Sequence, residues 1–65
     1  MIYVIAIYDV ASQRCGKMLK LCRRYLHWVQ NSVFEGELTP SQYARLRQEV
    51  NELRQESDCV IFYQL

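Results

Sequence analysis

The feature that most constrains the fold of this chain is an unbroken apolar run near its start. Residues 2–8 read Ile-Tyr-Val-Ile-Ala-Ile-Tyr, and Asp9 ends the run. β-branched and aromatic residues favour strands, and a strand without alternating polar positions is typical of one buried on both faces. The run is too short to span a membrane, and no basic segment precedes it as in a signal peptide. We therefore predict a doubly buried strand over residues 2–8.

The next segment has the periodicity of an amphipathic helix. Ser12 is a candidate N-cap, and the pattern continues to about Leu26. At about 100° per residue, one broad arc is apolar. It comprises Cys15, Met18, Leu19, Leu21, Cys22, Tyr25 and Leu26. The opposite arc carries Lys17, Lys20, Arg23 and Arg24. We predict a helix over residues 12–26 with a buried face, on which Cys15 and Cys22 lie, and a basic outer face.

Two strand-like segments follow this helix. Residues 28–30 and 33–38 are separated by Asn31 and Ser32, which fit a two-residue hairpin turn because Asn tolerates a left-handed backbone. Gly36 lies inside the second segment and indicates a bulge or a close backbone approach. We predict a β-hairpin here.

The clearest local signal in the chain is the start of a second helix. Residues 39–42 read Thr-Pro-Ser-Gln, which combines an N-cap Thr, Pro at the first helical position and Gln three residues after the cap. Residues 59–63 then form a last strand. The order is βαββαβ, an α+β chain of the ferredoxin-like class with a four-stranded antiparallel sheet and two helices on one face. We predict a single domain over residues 1–65.

This fold leaves one sheet face without a helical cover, yet the first strand is apolar on both sides. Tyr3, Ile5 and Ile7 point one way, and residues 2, 4, 6 and 8 point the other. An uncovered apolar face marks an interface. A chain of 65 residues also gains stability from association, since small domains bury a low fraction of their surface. We predict a homodimer packed sheet to sheet.

Cysteine usage bears on the cellular compartment. The chain has three cysteines, an odd number without the spacing of a disulfide framework. A structural zinc site is not expected, since there is no Cys-x-x-Cys pair and His27 is the only histidine. We expect free thiols in a reducing compartment, hence the cytoplasm, and no association with a membrane.

The charges of the chain are distributed unevenly. The chain has eight Lys and Arg residues and seven Asp and Glu residues, so the net charge is only +1. Five of the eight cations nevertheless lie between Arg14 and Arg24, with no acid among them. Such a cluster indicates a polyanionic partner, although a charged helix face is more often simply solvated.

Asp9 is the most informative polar residue. It directly follows the apolar strand, so a rigid element positions its carboxylate. Mg²⁺ prefers one or two carboxylates together with water and substrate phosphate. The alternative interpretation is that Asp9 only ends the strand or caps the following turn. A single Asp is a poor metal site, but a two-fold dimer supplies a second copy.

The assembled segments resemble a known family. Tyr-Val-Ile-Ala-Ile-Tyr-Asp at 3–9, the basic first helix, and Val-Gln-Asn-Ser-Val-Phe-Glu-Gly-Glu-Leu at 29–38 followed by Thr-Pro-Ser-Gln are similar to the small CRISPR-associated adaptation protein, the second member of the core Cas set. The resemblance covers essentially the whole chain. It implies a ferredoxin-like homodimer that bridges dimers of the CRISPR integrase and holds double-stranded DNA during spacer acquisition.

The same resemblance implies a site. Members of the family are described as Mg²⁺-dependent endonucleases acting on RNA or double-stranded DNA, with an Asp at the end of the first strand paired across the dimer axis. Asp9 matches that Asp as the catalytic and metal-binding residue. Tyr8, Arg14 and Phe34 match positions near the site. Gly16 and Trp28 stand where the family often has basic residues.

Three functions remain open from the sequence. The first is an adaptor that binds duplex DNA through Lys17, Lys20, Arg23 and Arg24 and needs no catalysis. The second is a metal-dependent endonuclease built on Asp9. The third is a toxin-like ribonuclease of the related virulence-associated fold. Members of the family continue beyond the strand that corresponds to residues 59–63. The resemblance therefore also predicts that this chain lacks the C-terminal strand that family members exchange between subunits.

Overall fold

The computed structural model describes residues 1–65 and contains one four-stranded sheet in the order β2-β3-β1-β4. All three strand pairs are antiparallel. The elements are β1 (Ile2–Asp9), α1 (Ser12–Arg23), β2 (His27–Gln30), β3 (Val33–Leu38), α2 (Pro40–Leu53) and β4 (Cys59–Gln64). The predicted βαββαβ order and the ferredoxin-like fold are confirmed.

β1 is a central strand, which explains its apolar composition. It pairs with β3 on one side and with β4 on the other, so that Ile5 lies opposite both Glu35 and Tyr63. Val4 and Ala6 are fully buried on the side that the helices cover. The alternate positions of β1 belong to the uncovered side, as predicted.

The core lies between the sheet and the two helices. β1 and β3 line the core on the sheet side, and α1 and α2 line it on the opposite side. Its largest fully buried side chains are Phe34, Met18, Leu38, Leu46, Val4, Val50 and Cys22. Burial raises the pKa of the Cys22 thiol to about 11, so this cysteine stays protonated and is part of the core.

The start of α1 differs from the prediction. Ser12 is the first helical residue rather than the N-cap; Ala11 occupies the cap position and offers no side-chain hydrogen bond. The Ala11 N–H instead donates to Asp58 Oδ1 at 3.0 Å. A residue 47 positions away in sequence thus ties down the start of this helix. A local sequence pattern cannot predict a hydrogen bond between residues so far apart in the chain.

The end of α1 is also earlier than predicted, at Arg23 instead of about Leu26. The N–H groups of Tyr25 and Leu26 both donate to the Cys22 carbonyl, which forms a tight turn. The turn places Leu26 in the core, 4% exposed, before β2 begins. The prediction that Cys15 lies in the core is wrong, since Cys15 is exposed. The buried arc is narrower than the apolar arc because the second helix and the sheet cover only part of it.

The β2–β3 hairpin and α2 confirm the local signals. Asn31 adopts a left-handed backbone with φ of 48°, as a two-residue turn requires. The Thr39 side chain accepts the Gln42 N–H, and the Gln42 side chain accepts the Thr39 N–H, which completes the capping box. At Gly36 a Cβ would lie 3.3 Å from Leu26 Cδ2. The glycine thus lies at a close approach between β3 and the turn that precedes β2, where a larger residue would press on Leu26.

Candidate active site and nucleic-acid surface

Asp9 lies at the exposed end of β1. It is the last residue of the strand and pairs with Cys59, the first residue of β4. By strand alternation its side chain shares the uncovered sheet face with Ile7, while the preceding Tyr8 points toward the helices. The central strand therefore presents one carboxylate to solvent at the border of an apolar surface.

This carboxylate matches part of the ligand set that Mg²⁺ takes. No three His, Cys, Asp or Glu side chains of the chain lie close enough together to hold a metal ion. Mg²⁺ is often held by one or two carboxylates, with water and substrate phosphate completing its octahedron. Asp9 is one exposed carboxylate of the kind that such a site uses.

Tyr8 and Phe34 lie on the other side of the sheet from Asp9. Tyr8 is 7% exposed and Phe34 is fully buried, and their rings stack with centroids 6.0 Å apart and an interplanar angle of 22°. Burial raises the pKa of the Tyr8 phenol. The structure does not bring these two rings together with Asp9, and they support the strand ends from the core.

Arg14 is occupied by an acidic partner. Its Nε donates to Asp58 Oδ2 at 2.6 Å, and its Nη2 donates to Asp58 Oδ1 at 2.9 Å. The Arg14 side chain is only 17% exposed. This arginine therefore joins α1 to the segment before β4 rather than extending toward Asp9.

Asp58 is the residue that sequence reasoning missed. It is 5% exposed and accepts further hydrogen bonds from the N–H groups of Ala11, at 3.0 Å, and Gln55, at 2.9 Å. The hydrogen bonds from Arg14, followed by that from the Gln55 backbone, hold the pKa of the Asp58 carboxyl well below its ordinary value. The sequence signal for Asp58 is an acidic residue directly before an apolar strand, because that strand pairs with the end of β1.

The predicted basic surface borders a groove between α1 and α2. The groove has a volume of about 520 Å³. Its lining residues are Lys17, Lys20, Leu21, Arg24, Glu49, Glu52 and Leu53. Lys17, Lys20 and Arg24 therefore share the groove with two acids that follow much later in sequence. Arg23 is exposed and does not line the groove.

Arg24 is the cation most affected by these acids. Its Nη2 donates to Glu49 Oε1 at 3.2 Å, and the Tyr25 hydroxyl donates to the other oxygen of the same carboxylate. The hydrogen bond from Tyr25 to Glu49 is the main cause of the raised pKa of Tyr25. The basic arc that the sequence predicts is thus partly neutralised at its C-terminal end.

Comparison with known proteins identifies the family. A family model described as "CRISPR associated protein Cas2" matches residues 1–65. This chain belongs to the Cas2 family. The resemblance seen in the sequence is confirmed, and the protein is CRISPR-associated.

Curated Cas2 relatives are similar over most of this chain. A protein of Thermotoga maritima named "CRISPR-associated endoribonuclease Cas2" is 55% identical over 62 residues, which are 94% of this chain and 71% of the relative. A protein of the same name from Methanosarcina acetivorans is 48% identical over 62 residues, with the same coverage of both chains.

Solved Cas2 structures share the fold. One described as "Crystal structure of cas2" superposes with a TM-score of 0.96 at 42% identity, covering 98% of this chain and 74% of the other. Cas2 of Streptococcus pyogenes, crystallised at pH 6.5, superposes with a TM-score of 0.87 at 33% identity, covering 97% and 84%. In this Cas2 chain neither helix combines the length and the apolar character needed to cross a membrane.

Proposed function

We propose that this chain is a metal-dependent endonuclease that hydrolyses phosphodiester bonds, with Asp9 as its catalytic and metal-holding residue. The observation that carries the proposal is the exposed carboxylate at the end of the central strand. The relatives named endoribonuclease support RNA as a substrate, with double-stranded DNA as the second candidate. Mg²⁺ bound at such a carboxylate supplies a Lewis acid that polarises a phosphate oxygen.

The proposed active unit is a homodimer. The uncovered sheet face exposes Ile61 to 44% and Tyr63 to 50%, next to Ile5 and Ile7 of β1. Apolar surface of this kind is stabilised by burial against a second copy, at about 25 cal/mol per Å² removed from water. Because Asp9 borders the same face, two-fold packing brings a second Asp9 carboxylate toward the first.

A second candidate function is an adaptor for duplex DNA that acts with the CRISPR integrase in spacer acquisition. The observation that favours it is the set of exposed cations on α1, where Lys17, Lys20 and Arg23 have no acidic hydrogen-bond partner. Phosphate contacts from such side chains supply sequence-independent affinity. The adaptor requires the α1 surface and the dimer, but not the Asp9 carboxylate.

Substitution of Asp9 distinguishes the two candidates. Cleavage of labelled RNA and duplex DNA by the wild type, Asp9→Asn and Asp9→Ala is measured with Mg²⁺ and with EDTA. The endonuclease proposal expects that cleavage needs Mg²⁺ and is lost in both variants. Glu56→Gln is the control, since it removes an equal charge from an exposed position and should cleave as the wild type does.

Cleavage that persists in Asp9→Ala, or in EDTA, would overturn the metal mechanism. Duplex binding by a folded Asp9→Ala protein together with absent cleavage in the wild type would favour the adaptor.

A further inference from the structure

We propose that Asp58 is a positioning residue for Asp9: it holds together the two chain segments that set the direction of the Asp9 carboxylate. This inference rests on the proposed function in one respect, the role of Asp9 in holding Mg²⁺. The hydrogen bonds that carry it are independent of that role.

Asp58 joins two connections at the same end of the sheet. Ala11 and Arg14 belong to the segment that leaves β1 and enters α1, and both donate to the Asp58 carboxylate. Gln55 belongs to the segment that leaves α2, and its N–H donates to the same carboxylate at 2.9 Å. One buried side chain therefore fixes both connections to each other.

Asp9 lies directly next to this junction. It precedes Ala11 by two residues in the chain, and its partner in the antiparallel pair is Cys59, which directly follows Asp58. The terminal residues of strands open locally more easily than central ones. Here the Asp58 carboxylate links the residues that follow Asp9 to the residue that precedes Cys59, so the open end of the Asp9 pair is closed by hydrogen bonds.

The hydrogen bonds of Asp58 show why a carboxylate is required. Oδ1 accepts from Ala11 N–H and Arg14 Nη2, and Oδ2 accepts from Arg14 Nε and Gln55 N–H. An ionised carboxylate is acceptor-only and satisfies all four donors. Asn at this position would place an NH₂ group against two donors. Since both oxygens are engaged and the side chain is 1% exposed, Asp58 acts through Asp9 and does not itself reach a substrate.

The test compares Asp58→Asn with a control that is destabilised elsewhere. Thr39→Ala removes the capping box of α2 at the opposite end of the sheet, where β3 ends and Leu38 pairs with Ile2. Arg14→Lys is a milder second variant, because Lys keeps the charge but loses the bidentate geometry. All proteins are studied at a temperature at which circular dichroism shows each of them folded.

The first measurement is Mg²⁺ affinity, from the shifts of the backbone amides of residues 9–11 in NMR titrations with Mg²⁺ alone. We expect Asp58→Asn to bind Mg²⁺ about 10-fold more weakly, as for other residues that orient a metal ligand. Arg14→Lys should fall between it and the wild type, and Thr39→Ala should match the wild type. In cleavage assays kcat should fall in Asp58→Asn while KM for the oligonucleotide is retained. Equal Mg²⁺ affinity in Asp58→Asn and Thr39→Ala would overturn the proposal.

A second measurement separates failure of this inference from failure of the proposed function. If the amide signals of the wild type do not shift with Mg²⁺ and the wild type does not cleave the oligonucleotide, the endonuclease proposal is rejected. Amide hydrogen exchange then tests the positioning role by itself. Loss of exchange protection confined to residues 9–11 and 59 in Asp58→Asn supports it. Loss spread evenly over the whole sheet, as in a purely structural role, overturns it.

Discussion

Arg24 and Glu49 form an ion pair across the groove between the two helices, with Nη2 of the arginine 3.2 Å from Oε1 of the glutamate. Both side chains are partly exposed, so the pair contributes little to stability. Its consequence is electrostatic: one of the four cations proposed to bind nucleic acid is already engaged by an acid, whereas Arg23 is not.

The four cations proposed to bind nucleic acid should therefore contribute unequally to duplex binding. We expect Arg23→Ala to weaken binding more than Arg24→Ala does, because Arg24 must first break its ion pair with Glu49 before it can bind a phosphate. Removal of one cation that binds a phosphate should reduce the slope of log K against log salt by about 0.9. Glu49→Gln should strengthen binding, since it frees Arg24 and removes a negative charge. Fluorescence anisotropy with a labelled duplex over a range of salt concentrations measures this. Equal weakening by the two arginine substitutions would contradict it.

Stability should fall in acid in a way that depends on Asp58. The folded protein holds the pKa of this carboxyl below its unfolded value of about 3.9, so the unfolded state binds more protons in that range. The stabilisation is complete above the unfolded pKa and is lost as the pH falls through the folded pKa. Urea titrations from pH 7 to pH 2 should show that the free energy of unfolding falls more steeply in the wild type and in Glu56→Gln than in Asp58→Asn. Parallel curves for all three would argue against this role.

The two glycines should respond in opposite ways to alanine. At Gly36 a Cβ meets Leu26 Cδ2 at 3.3 Å inside the core, and we expect Gly36→Ala to cost about 1–3 kcal/mol through overpacking. At Gly16, inside α1, a Cβ meets nothing within 4 Å, and Gly16→Ala should stabilise by about 0.5–1 kcal/mol. Thermal and urea unfolding of the two variants provide matched measurements. A stabilising Gly36→Ala would show that Leu26 moves aside without cost.

A charge on the uncovered sheet face should abolish the proposed dimer. Ile61→Glu introduces a carboxylate at a position opposite Ile7, and its burial between two sheets is strongly unfavourable. Sedimentation equilibrium at micromolar concentrations should show a dimer for the wild type and a monomer for the variant. Trp28→Ser is the control, since Trp28 is 52% exposed but lies in register with Phe34, on the other side of the sheet. A monomeric wild type would rule out the sheet-to-sheet interface.

Part of this molecule is determined by short-range sequence. The apolar run over residues 2–8 needs a central strand, the left-handed Asn31 permits a tight hairpin turn, and Thr39 with Gln42 begins a helix wherever they are placed. Each of these signals depends on neighbours within a few residues, and their βαββαβ order is that of the ferredoxin-like arrangement. The position of Asp9 at the end of β1 follows from the same reasoning.

Only the tertiary structure decided which side chains meet. Arg14 and Asp58 are 44 residues apart in sequence and Arg24 and Glu49 are 25 apart, so no local pattern pairs them. The same long-range packing leaves Cys15 outside the core and stacks Tyr8 on Phe34 inside it. Periodicity defines the faces of an element. The free energy of burying and pairing charges across different elements determines what each face contacts.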